Sequence, residues 1–132
     1  MERFENLVGL NKSFELSTDE SMVWDEDSEL SYLHLVSTSS LIREVSAATF
    51  DFMNNYLTEE ETSILTSVQI EHLKPVVVGE QLVVGIRISE VANNRIIFRA
   101  MIMRESEKVA EVVLTRVVVS KSYLRRKALE NI

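Results

Sequence analysis

Apolar residues recur along this chain with two different periods, and the change from one to the other divides it. From Ser37 to Leu57 they return at helical spacing. With each residue turning about 100°, Leu41, Ile42, Val45, Ala48, Thr49, Phe52, Met53 and Tyr56 share one broad face. Ser37, Thr38, Ser39 and Ser40 stand before that run, hydroxyls able to cap the free N–H groups of a first turn, and no Pro or Gly interrupts the run itself. A long helix with a core side and a polar start is predicted.

Elsewhere the period is two, the mark of strands. Leu10 to Ser17 predicts a short first strand. From Asp19 to Leu35 the chain is acidic and aperiodic and predicts a long loop with one short helical turn, anchored by Trp24, Tyr32 and Leu33. After the helix, Ser63 to Leu73 alternates, with Ile64, Thr66, Val68, Ile70 and His72 on one side and Leu65, Ser67, Gln69 and Glu71 on the other. Pro75 and Gly79 punctuate the passage to Gln81–Val91. Asn93-Asn94 makes a hairpin turn into Arg95–Arg104, because Asn tolerates the left-handed backbone such turns require. Val109–Val119 is apolar on both faces except at Glu111, Thr115 and Arg116, as a central or interface strand would be, and Tyr123–Asn131 suggests a short closing helix. The sum is an α+β layer pair in which one helix covers a twisted antiparallel sheet whose last four strands run as a meander.

Composition narrows what such an object does. One domain over residues 1–132 is expected from the length, with 45% hydrophobic and 27% charged residues. A net charge of −7 argues against nucleic acid, since phosphate binding needs a basic surface and only Lys121, Arg125, Arg126 and Lys127 cluster. The absence of cysteine removes disulfides, thiol nucleophiles and thiolate metal sites, and fits an intracellular protein. No apolar run approaches a membrane span, and MERFENLVGL is too short and acidic for a signal peptide, so a cytoplasmic protein is expected. Two separated histidines make no metal ligand set, and three scattered glycines make no phosphate loop. No cofactor is expected. A sheet with an open edge and a doubly apolar strand makes a homodimer the simplest covering.

Four stretches in order, FELSTDESMVW, LVSTSSLIREVSAA, EEETSILTSVQIEHLKPVVVGEQL and LTRVVVSKSYL, resemble the hotdog fold and, within it, the fluoroacetyl-CoA thioesterase-like family. The resemblance implies an acyl-CoA thioester as substrate and a catalytic Thr, Glu and His at a dimer interface. By position it implies Thr38 and His72, 34 residues apart as in the family. Eight residues after Thr38, where the family carries the Glu, stands Ser46; Glu44 lies two residues back, about 200° around the helix. Leu65 replaces a Gly close to the substrate, Ser39 replaces a Pro, and Arg116 matches an Arg lining the substrate pocket.

N–H groups at a helix start can stabilise the charge that develops on an attacked thioester carbonyl. His72 is the best remaining base, and Ser46 can only relay or position. By position alone Thr38 is a helix cap and His72 a core histidine satisfied by backbone; only the resemblance makes them catalytic. Arg116 in an apolar strand needs a partner, and Glu111 or a carboxylate of a second subunit competes with any ligand for it. The first expectation is therefore an acyl-CoA thioester hydrolase using Thr38 and His72. The alternatives are a non-catalytic acyl-CoA binding module that lost the carboxylate, favoured by Ser46 and Leu65, and a purely structural dimer.

Overall fold

In the computed structural model, which describes residues 3–130, five antiparallel strands form one sheet around a long helix. The strands are β1 (Asn11–Ser17), β2 (Glu61–His72), β3 (Gln81–Ala92), β4 (Arg95–Arg104) and β5 (Glu107–Ser120), and the helices α1 (Thr38–Asn54) and α2 (Lys121–Glu130). Asn131, in the expected closing helix, lies outside the described residues. No helix among those residues is long and apolar enough to cross a membrane.

Helix α1 starts where the hydroxyls predict. Ser37 is the N-cap, its Oγ accepting from the Ser40 N–H at 3.1 Å. The helix stops three residues before Leu57: Asn55 and Tyr56 donate to Phe52 and Met53 in a tightened last turn, and the Asn55 side chain adds a bond to the Phe52 carbonyl at 3.2 Å. Its apolar stripe, Leu41, Val45, Phe52 and Met53, is buried against the inner face of the sheet, where Val84, Ile88, Ile96, Phe98, Ile102 and Leu114 are fully buried. Phe52 meets Phe98 edge to face with ring centres 5.9 Å apart. Tyr56 remains 38% exposed at the frayed end.

The strand order, β1-β3-β4-β5-β2, is less simple than a four-strand meander. Of the strands consecutive in sequence, only β3, β4 and β5 are joined as neighbours, with Asn93 left-handed at φ 57° in the first hairpin. The chain leaves β2, crosses from that edge, and enters β3 on the far side of β5 and β4. The crossing segment is held by buried Val76 and by the Gly79 N–H donating to Thr18 Oγ1 at 2.8 Å. Gly79 has φ 100°, a conformation that favours glycine. As its double apolarity predicts, β5 is internal, between β4 and β2.

The strand β2 departs from simple alternation. Its register against β5 shifts between Leu65 and Ser67, leaving Thr66 as the extra residue of a bulge. Parity reverses there, so Leu65 faces the helix with Val68, Ile70 and His72 rather than opposite them. The acidic segment before α1 is a strap with two short 3-10 turns, Glu20–Met22 and Ser31–Leu33. Its anchors are Met22 and Val36, both buried, while Tyr32 and Leu33 are exposed. Their backbone is already satisfied by local turn bonds at the surface, and the Val23–Val36 and Leu35–Val77 bridges carry the strap instead.

Candidate functional site

Thr38 is the first residue of α1 and His72 the last of β2, and the packing of helix on sheet brings these ends together. Thr38 Oγ1 lies 2.8 Å from His72 Nδ1. Thr38 is exposed and His72 half-buried. The other ring nitrogen, Nε2, is buried with no hydrogen-bond partner among the described residues. Burial lowers the pKa of His72, and the nearby Lys74 backbone opposes it more weakly. Burial thereby favours the neutral ring, which can accept a proton from Thr38 at Nδ1 when its own proton sits on Nε2.

Ser46 and Arg116 form a second group. Arg116 projects from β5 toward the helix and is 3% exposed. Its Nε donates to Thr49 Oγ1 at 2.8 Å, its Nη1 to the Ser63 carbonyl and Oγ at 3.2 Å each, and its Nη2 to the Ser46 carbonyl at 2.7 Å and Oγ at 3.0 Å. Phe50 lies over the guanidinium, its centroid 5.5 Å away. Every donor thus ends on a neutral oxygen. Burial lowers the pKa of Arg116, partly offset by the charge of Asp51. Glu111 is not its partner: five residues away along β5 it sits on the opposite face, paired with Lys108.

Leu65 is directly opposite Arg116 in the β2–β5 register and joins this second group. Ser46 lies eight residues along α1 from Thr38, about 12 Å at 1.5 Å per residue, so it does not reach the Thr38–His72 pair of its own chain. Of the five residues singled out from the sequence, two meet at the helix start and three at its middle. Thr49 and Ser63, two of the oxygens that hold Arg116, carried little signal. Thr49 on the apolar helix face could have been matched to the buried Arg, whereas Ser63 begins a strand and has no such mark.

At the helix start the Ser37 Oγ also contacts Ser40 Oγ at 2.7 Å, and the Ser40 hydroxyl donates to the Met22 carbonyl at 3.4 Å. The strap is thereby tied to the turn that carries Thr38. His34 stays on the strap, left-handed at φ 53°, with Nδ1 3.1 Å from Glu20 Oε1. Among the described residues no group of three or more His, Cys, Asp or Glu is placed to hold a metal ion.

The fold has close counterparts among solved structures. A hot-dog-like protein from Thermanaerovibrio acidaminovorans superposes with a TM-score of 0.90 at 20% identity, covering 98% of this chain and 96% of its own. The fluoroacetyl-CoA thioesterase FlK gives 0.82 at 16% identity over 95% and 96%. A Thermus thermophilus protein described as a thioesterase superfamily member gives 0.82 at 19% over 94% and 93%. These likenesses establish the hotdog fold. No curated protein sequence matches the chain significantly. The family model for the fluoroacetyl-CoA-specific thioesterase matches residues 18–122, which include Thr38, Ser46, Leu65, His72 and Arg116. On that match the chain belongs to the FlK thioesterase family.

Proposed function

We propose that this protein binds an acyl-CoA thioester and hydrolyses it, with Thr38 as nucleophile and His72 as base. The observation that carries the proposal is the 2.8 Å approach of Thr38 Oγ1 to His72 Nδ1 beside the open start of α1. The Thr38 proton passes to Nδ1 as its oxygen attacks the thioester carbonyl. The N–H groups of the first helical turn take the developing oxyanion, and the imidazolium returns the proton to the departing CoA sulfur. Water, activated by the same imidazole, then releases the acid. A cytoplasmic location goes with this class of substrate. One structure of FlK, 16% identical, holds fluoroacetate and CoA, which supports a thioester pocket of this kind in the family.

The working unit in this proposal is a homodimer. The outer edge of β2, the strand carrying His72, has no partner strand among the described residues. The Arg116 group stands about 12 Å from Thr38 along the same helix. One reaction centre uses both groups only if a second copy brings its own, across the β2 edge. Leu65 and Arg116 then shape the acyl pocket, and Ser46 positions Arg116.

A second reading, a non-catalytic acyl-CoA binder, rests on one observation: His72 Nε2 has no carboxylate to orient it. Hydrolysis of a panel of acyl-CoAs separates the two. The hydrolase reading predicts turnover that falls about 10²–10⁴-fold in His72→Ala and comparably in Thr38→Ala. If wild type and both variants are no faster than buffer while acyl-CoAs still raise the melting temperature, the protein is a binder. If nothing is hydrolysed and nothing shifts the melt, both readings fall.

A further inference from the structure

The sheet face turned away from α1 carries an unusual arrangement of charge. On β3 and β4, Arg87 and Arg99 stand directly opposite each other; on β5 and β2, Glu111 and Glu71 do the same one step along the strands. All four are exposed. Like charges in directly paired strand positions repel, so each pair is unfavourable in the isolated chain. Lys108 relieves Glu111, but neither arginine has an ion-pair partner among the described residues. Between the two pairs lie Met101, 41% exposed, and Val113, half-buried, which register opposite Glu111 and Arg99 respectively. These residues line an open groove of about 740 Å³ across the strands.

The placement is self-complementary. With strands about 4.8 Å apart and a rise of about 3.4 Å per residue, the centres of the Arg pair and the Glu pair exchange about a two-fold axis lying between two such faces. That axis runs over Met101 and Val113. Two copies placed in this way set each Arg pair against the other copy's Glu pair and bring Met101 to Met101 and Val113 to Val113 on the axis. Four like-charge repulsions become four attractions, around a small apolar centre.

We propose that this face binds a second copy of the same chain, sheet against sheet, through Arg87 and Arg99 of each copy on Glu71 and Glu111 of the other. The contact uses the outer face of the sheet rather than the backbone edge of β2; Glu71 lies on β2 beside His72 but with its side chain on the opposite face, and the proposal stands or falls independently of the hydrolase reading. Because it is electrostatic, it weakens with salt.

Sedimentation of the full chain tests it through a charge swap. One variant carries Arg87→Glu with Arg99→Glu, the other Glu71→Arg with Glu111→Arg, both at exposed positions, with folding checked by melting curve. At low salt the wild type is expected to reach twice the mass of either variant alone. An equimolar mixture of the two variants should recover the wild-type mass. In about 1 M salt, where screening acts within roughly 3 Å, all should sediment at the lower mass. If wild type and variants sediment alike, the face is left to water or to another molecule and the proposal is overturned. It is equally overturned if the reversed variants associate as well as wild type, or if mixing them restores nothing.

Discussion

At the scale of the residue, the environment of His72 decides its chemistry. An exposed imidazole titrates near 6.5; partial burial lowers that value here, so the ring stays a neutral base to a lower pH. The acid limb of kcat/KM for thioester hydrolysis is therefore expected below about pH 6.5, and a limb above that value would contradict the assignment. The same shift acts on stability. The folded state binds a proton at His72 less readily than the unfolded chain, so this contribution is complete above the unfolded pKa. It is lost as pH falls through the folded one, and His72→Gln should flatten that part of a stability–pH profile measured by urea unfolding. Arg116 is the opposite case, a charge that burial cannot discharge near neutral pH. Arg116→Met leaves the Ser46, Thr49 and Ser63 oxygens without their donor and should cost about 1–3 kcal/mol in urea unfolding. A variant as stable as wild type would show that the guanidinium does not hold the helix to the sheet.

At the scale of the element, α1 both covers the sheet and presents the site. Its cap matters twice, because the Ser37 hydroxyl that accepts from Ser40 also fixes the turn bearing Thr38. Ser37→Ala should cost about 1 kcal/mol of stability and lower hydrolysis more than that small loss of folded protein explains. Equal activity per folded molecule would separate the cap from the site. The middle of the helix tests the missing carboxylate. Ser46→Glu places an acid against Arg116 and is expected to raise hydrolysis, measured beside the wild type; a folded but slower variant would count against a catalytic role for this position. Periodicity makes the helix legible and also five strands, nearly to their ends. It fails at Thr66, because a bulge adds one residue and reverses every later side chain, and alternation alone does not reveal which residue is extra. Pattern alone consequently puts Leu65 on the wrong side of its strand.

At the scale of the whole molecule, the curved sheet packed on α1 leaves the β2 edge without a partner strand among the described residues. An unpaired edge invites another strand, and a two-fold across β2 would both close it and join the Thr38–His72 pair of one copy to the Arg116 group of the other. Mixing Thr38→Ala with Arg116→Met tests that sharing. If each site draws on both copies, mixed dimers contain one site free of either substitution and recover part of the activity that each variant loses alone. No recovery, with exchange of subunits shown by mass, would place each site within one chain.

The sequence by itself determined the elements and, outside the bulged strand β2, their sidedness, since helix and strand periods are local properties of backbone geometry, and it pointed to Thr38, His72, Ser46, Leu65 and Arg116 through family resemblance. Only the tertiary structure decided how those five are grouped. Thr38 meets His72 because the helix start packs on the far end of β2. Ser46 meets Arg116 because a helix advances about 1.5 Å per residue, which carries position 46 away from position 38 however alike their chemistry. The crossing of β2 to the outer edge of the sheet was likewise invisible in the pattern, because strand order depends on which inner faces pack together, and neighbouring residues along the chain do not record it.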